Sequence, residues 1–398
     1  MLKSRWGVLA AYVLVTSANQ MLWLTFAPIT SDAAVHYGVS IGSIGLLSEV
    51  FPLLYVLLAI PAGFALDRLF RGSLLLGAWL TAFGGLLRLL GDTFAMQLTG
   101  QVVIAIAQPL VASALIKVAS VWTRDEDRPL GIALGSAGLS LGLLLALGSG
   151  GALGIGHLAA LLQGQAVYAV VGAVLLTLAT RVPGRVIAAP TATGRAALRA
   201  VWAEPVVRVT TALVIVGFGV FVALTTYLEP LLKPAGVTSG QASGLLVTMV
   251  VAGIVGSLVL PPIVARRAAE RTTLVTALVV SAIGTASLAA LHVLAGVALV
   301  LAIMGFFLLA TLPVVFELVE RRAGAQGATA ASLLWMSGNA GGLVLALVIG
   351  LLVAHPALAF VVMAVVPLLG LPVLARLRLS EPPTGESPAG EHQPVEAR

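Results

Sequence analysis

Apolar residues along this chain come in runs of about twenty, separated by short clusters of charged residues, Pro and Gly. At about 1.5 Å per residue a run of that length matches the hydrocarbon thickness of a bilayer. Twelve spans are predicted, over residues 6–28, 40–66, 73–91, 95–119, 130–156, 158–180, 207–231, 240–264, 272–292, 294–318, 327–353 and 356–375. The stretch from Arg181 to Glu204, "RVPGRVIAAPTATGRAALRAVWAE", is basic and broken by Pro and Gly, and it divides the spans six and six. The expected organisation is a six-helix half over 1–180, a linker over 181–206, a second six-helix half over 207–376 and a tail over 377–398. The tail, rich in Pro, Glu and Gly, is expected to be disordered. The fold class is an all-α membrane protein.

Composition supports that reading. Hydrophobic residues make up 59% of the chain and charged residues 10%, against roughly 45–50% and about 25% in a soluble domain. The 398 residues include no cysteine, which excludes disulfides and thiol chemistry. The net charge of +6 is scattered between apolar runs and forms no stripe for nucleic acid, so it reads as a topology signal. Lys3, Arg5, Arg68, Arg71, Arg124, Arg128, the linker arginines Arg181, Arg185, Arg195 and Arg199, then Arg208, Arg266, Arg267, Arg271, Arg321, Arg322, Arg376, Arg378 and Arg398 fall on one face. Arg88 and Lys233 fall on the other. Both termini and the linker are therefore expected in the cytoplasm, with the chain in the cell (inner) membrane. The charged start and its apolar run lack a small-residue cleavage site, which makes the run a first membrane helix and not a signal peptide.

The halves read as copies. Residues 60–71, "IPAGFALDRLFR", follow the second span, and residues 259–270, "VLPPIVARRAAE", follow the eighth. Within the first, Gly63, Asp67, Arg68 and Arg71 match G-x-x-x-D-R-x-x-R. With twelve spans in two pseudo-symmetric halves, the chain resembles the major facilitator superfamily over nearly its whole length. That resemblance implies a carrier that rocks two halves about a central site, with Asp67 latching the cytoplasmic side through neighbouring arginines and helix ends. In the second copy the Asp position is Arg266.

Four further stretches resemble the feline leukaemia virus subgroup C receptor-related branch, linked to choline, ethanolamine and haem transport. They are "RWGVLAAYVLVTSANQMLW" from Arg5, "YGVSIGSIGLLS" from Tyr37, "GQVVIAIAQP" from Gly100 and "LPVVFELVERRAGAQGATAASLLW" from Leu312. The resemblance implies that Trp23, Gln108 and Asn339 stand where that branch holds a quaternary ammonium with a first-helix Trp, a fourth-helix Gln and an eleventh-helix Gln. The branch's seventh-helix Tyr is replaced by Val222, beside Phe221.

Depth agrees with this placement. Asn19 and Gln20 lie near the middle of the first span with Trp23 a turn outward, while Gln108 and Asn339 lie mid-span in the fourth and eleventh. An indole face suits a cation, and amides bond hydroxyl or amine groups. The alternative is that Asn19 and Gln20 tie helices together and Trp23 is an interfacial belt residue. Glu49 is the only acid expected near the midplane, either as a coupling-proton or cation site or as a protonated group bonded between helices. Glu229 is expected at a solvated outer helix end. Glu317 and Glu320, beside Arg321 and Arg322, resemble inner-gate ion pairs. Glycines at 131–151 and 337–342 predict close helix approach.

No Walker or Rossmann loop, HExxH or Ser/His/Asp set is present, so no enzyme is expected, nor any cofactor, catalytic residue or metal site. The expectation is a carrier, acting as a monomer, of a small organic cation or amino-alcohol. The alternatives are an organic anion or haem-like cargo, or a non-transporting receptor or scaffold.

Overall fold

The computed structural model describes residues 4–124, 126–184, 195–291, 293–323 and 327–375. In chain order its α-helices are α1 (Trp6–Trp23), α2 (Thr30–Tyr37), α3 (Ile41–Arg68), α4 (Phe70–Leu87), α5 (Phe94–Ala112), α6 (Leu115–Trp122), α7 (Arg128–Leu153), α8 (Leu158–Ala179), α9 (Arg195–Ala203), α10 (Pro205–Leu232), α11 (Ser239–Arg267), α12 (Glu270–Leu288), α13 (Leu294–Ala323), α14 (Gly327–Leu352) and α15 (Pro356–Ala375). Among the described residues 12 spans are long and apolar enough to cross a membrane. Among the described residues these are joined by turns and short irregular connections without a strand, as a lipid solvent requires of a chain that must satisfy its own backbone.

Three elements depart from the expected spans. The first span runs on to Tyr37, bending after Trp23 through a short 3-10 turn that carries Pro28. The fourth breaks at Ser113 and Ala114, where amides bond Pro109 O and Val111 O as the tightened end of α5. Pro109 lacks the amide that would continue the ladder behind it. In the linker, residues 195–203 form α9, while 185–194 and the tail from 376 lie outside the described residues.

The helices form two groups whose packing repeats. In the first group α1 packs on α7 and α8, α5 on α3 and α4, and α4 on α8. In the second, α10 packs on α14 and α15, α13 on α11 and α12, and α12 on α15. Each pair in one group has its counterpart six spans later in the other. Between groups, α3 meets α14 and α7 meets α11, two contacts that exchange under the same relation.

Glycines set the closest approaches. A Cβ at Gly142 would strike the Ser17 carbonyl of α1, and one at Gly341 would strike the Ile215 carbonyl of α10. These two glycines of α7 and α14 are thus spent on packing inside each group, whereas a Cβ at Gly151 of α7 would strike Ser243 of α11 in the other.

Arg88, expected among the outer loop charges, is instead 1% exposed within the first group. Its guanidinium donates to Thr25 (3.1 Å), Gln101 (3.3 Å) and Gln165 (3.0 Å), binding α4, α5, α8 and the end of α1. Neutral amides hold the charge that a bilayer would otherwise reject.

Candidate functional site

The first-span polar residues divide. Asn19 Nδ2 donates to Thr81 Oγ1 (3.2 Å) and to the Ile104 carbonyl (3.3 Å), so its amide joins α1 to α4 and α5 of its own group. Gln20 is buried with its Cβ over Gly142 of α7. Neither residue is brought to the second group by a hydrogen bond among the described residues.

Trp23 is buried, and its indole N–H donates to the Ser48 carbonyl at 2.9 Å. That carbonyl is available because residue 52, which would normally bond it four positions on, is a proline inside α3. The indole stacks on Phe51, with ring centroids 6.1 Å apart and planes 29° from parallel. One edge and one face of the ring are therefore committed to α3.

Gln108 is 5% exposed, and its Oε1 is buried without a protein donor. Asn339, also buried, donates Nδ2 to the Trp335 carbonyl one turn earlier at 2.9 Å. Phe221 sits 6.0 Å from Phe218 between ring centroids. Trp335, in turn, meets Phe218 edge-on at 5.9 Å and Phe316 at 5.7 Å. These rings from α10, α13 and α14, Phe221 buried and the others half-buried, form an aromatic cluster around the helix that carries Asn339. The sequence signal for them was helical spacing alone: Phe218 is three residues before Phe221, and Trp335 four before Asn339.

The two groups are bonded to each other at the face opposite the linker. Lys233 pairs with Asp32 at 2.8 Å, and Ser239 donates to the same carboxylate. The Ser31 amide donates to Glu229 at 2.8 Å, and Ser243 donates to the Leu147 carbonyl. Glu229, expected at a solvated helix end, is fully buried. Glu49 accepts the Tyr227 hydroxyl on Oε1 and has a second oxygen, Oε2, buried without a partner. Tyr227 reaches it because a Cβ at either Gly45 of α3 or Gly350 of α14 would collide with the phenol. Tyr227 was missed in the sequence, where a tyrosine near a span end reads as a belt residue.

On the linker face the motif residues are arranged differently from the expected arginine latch. Asp67 pairs with Lys117 of α6 at 3.0 Å, and the same ammonium donates to the Leu66 carbonyl at 2.7 Å while lying 5.2 Å from the Phe70 ring centre. Arg68 and Arg71 are exposed, and Gly63 has open space around its Cα. Lys117 was legible only as one cation inside an apolar run. On the same face, Asp127 accepts from Ser4 and from Arg124 (2.9 Å), and these bonds hold its carboxyl below the ordinary value of 3.8. Glu317 lies near the linker end of α13, and the Glu320 side chain lies outside the described residues.

Comparison with known proteins bears on the whole chain and on part of it. The family model described as Major Facilitator Superfamily matches residues 8–344. Solute carrier family 49 member A3 of Danio rerio is 37% identical over 153 residues, covering 36% of this chain and 32% of the relative. The choline/ethanolamine transporter FLVCR1 of Felis catus is 30% identical over 142 residues, covering 35% of this chain and 25% of the relative. The matched stretch is thus about a third or less of these relatives' length. Among solved structures, the nucleoside transporter NupG (D323A mutant) superposes with a TM-score of 0.72 at 12% identity, covering 92% of this chain and 99% of the other. That likeness is one of fold.

Proposed function

We propose that this chain, which belongs to the Major Facilitator Superfamily, carries a small organic cation or amino-alcohol across the cell membrane by alternating access, with its termini and linker in the cytoplasm. It is a transporter in this reading and not an enzyme. The observation that supports the cargo is the Gln108 amide oxygen, buried with no donor in the protein. A buried acceptor left unpaired costs about 1–3 kcal/mol, so the site favours a ligand that brings an N–H or O–H. Trp23 supplies a ring whose face away from Phe51 meets the positive charge, and Asn339 supplies an amide from the second group. Relatives named as choline/ethanolamine transporters point to the same chemistry.

The test is a thermal-shift and binding measurement on purified protein with choline, ethanolamine and the neutral choline isostere 3,3-dimethyl-1-butanol. The cations are expected to raise the melting temperature and the isostere to do much less. A desolvated cation over an aromatic ring is worth up to about 2 kcal/mol, so Trp23→Ala weakens choline roughly tenfold to a hundredfold. Gln108→Leu weakens both alcohols, charged and neutral. Equal binding of choline and its isostere to the wild-type chain would sink the cation reading.

A further inference from the structure

Glu49 sits at the floor of a groove of about 1280 Å³ that the central-site reading does not use. The groove runs between α3 and α14 at the face opposite the linker, walled by Ile41, Leu46, Leu347 and Leu351. Leu351 is 85% exposed and Leu347 43%, so the apolar wall is open to the surroundings of the helices. At the floor there is one ionisable acid. Its Oε1 is taken by the Tyr227 hydroxyl, and its Oε2 has no partner although Glu49 is 2% exposed. The ammonium at the rim, Lys233, is already held by Asp32 at 2.8 Å.

We infer that this groove is a second binding site, for a single-chain alkylammonium amphiphile entering from the leaflet opposite the linker. The assignment follows from complementarity. A carboxyl oxygen with no partner and no cation beside it calls for a charged N–H donor, which holds the group ionised and supplies the strong class of hydrogen bond. Leucine and isoleucine walls ending in exposed side chains call for an alkyl body that would otherwise lie in lipid. A small hydrophilic amine has no use for the walls, and a neutral lipid has none for the carboxylate. Because α3 and α14 belong to different helix groups, an occupant also braces them together in this latched arrangement.

The experiment uses the full chain in lipid nanodiscs and octylammonium, octyltrimethylammonium and 1-octanol as probes. Octylammonium is expected to bind best and at least about tenfold tighter than 1-octanol, with octyltrimethylammonium between them because it has charge but no N–H. Glu49→Gln, which keeps the shape and an acceptor for Tyr227, reduces octylammonium to the level of 1-octanol. Leu347→Trp fills the mouth from a half-exposed position and weakens all three probes, a check that does not depend on the acid. Gln108→Leu leaves octylammonium binding unchanged, which separates this site from the central one. Equal affinity for octylammonium and 1-octanol, an affinity gap that survives Glu49→Gln, or unchanged binding of all three probes in Leu347→Trp overturns the proposal. Loss of octylammonium binding in Gln108→Leu with retention in Glu49→Gln does so as well, by assigning the probe to the central site.

Discussion

On the face opposite the linker, the polar contacts Lys233 to Asp32, Ser31 to Glu229, Tyr227 to Glu49 and Ser243 to Leu147 run from one helix group to the other. On the linker face, Asp67 to Lys117 and Ser4 to Asp127 stay within the first group. Burial differs only in part. Glu229, Glu49 and Ser31 are buried, whereas the Lys233 and Asp32 side chains, 45% and 33% exposed, are as open as Lys117 and Asp67 at 26% and 39%. Buried polar groups must be bonded in the closed arrangement, yet on opening each exchanges its protein partner for water, so the net contribution of each bond is only about 1 kcal/mol. Such a set of contacts fixes one closed register without making it deep. An exposed pair within one group has no stake in whether the groups separate.

Three variants break or sharpen this contrast, and the absence of cysteine gives them a clean readout. In a Ser31→Cys background the introduced thiol is shielded while the face is latched, and a membrane-impermeant maleimide reports opening. The largest effect is expected from Gly45→Val, whose side chain takes the space of the Tyr227 phenol. Overpacking of this kind costs about 1–3 kcal/mol, so labelling should accelerate up to roughly a hundredfold. Unchanged labelling would mean that the phenol is not a gate element.

Next comes Tyr227→Phe, which removes the hydroxyl from Glu49 but keeps the ring between its two glycines. The buried carboxylate then lacks its one donor, and labelling should rise roughly tenfold. A rise as large as that of Gly45→Val would assign the whole latch to the hydrogen bond and none to the fit of the ring. The smallest effect belongs to Asp67→Asn. Because its partner Lys117 lies in the same group, labelling at Ser31→Cys should not change, and stability should fall by less than about 1 kcal/mol, as for other exposed pairs. A large increase in labelling would show that the two faces are coupled through α3, which carries both Asp67 and Glu49.

The spans were legible because lipid thickness writes itself into the length of each apolar run. α15 begins and ends where the sequence puts it, and α14 ends one residue from its expected limit. The break after Ala112 was harder to see, since Pro109 lies inside an otherwise continuous apolar run. That Trp23, Gln108 and Asn339 lie inside apolar runs was legible for the same reason as the spans. Their partners were not. In a membrane helix both the lipid face and the packed face are apolar, so the sequence does not reveal how the helix is rotated, and rotation decides that Asn19 meets Thr81 while Tyr227 meets Glu49. Gly45 and Gly350 showed the same limit: each reads as an ordinary small residue until the phenol between them is seen.

The missing amide of Pro52 makes α3 behave as a beam with one strut supplied from outside. At that turn the backbone has no bond of its own, and the Ser48 carbonyl is propped by the Trp23 indole from α1. A cargo that pulled the indole toward itself would withdraw the prop and let α3 flex just where Glu49 follows Ser48. The load of a bound molecule would then travel along a single lever, from the ring that feels the charge to the carboxylate that bolts the far face.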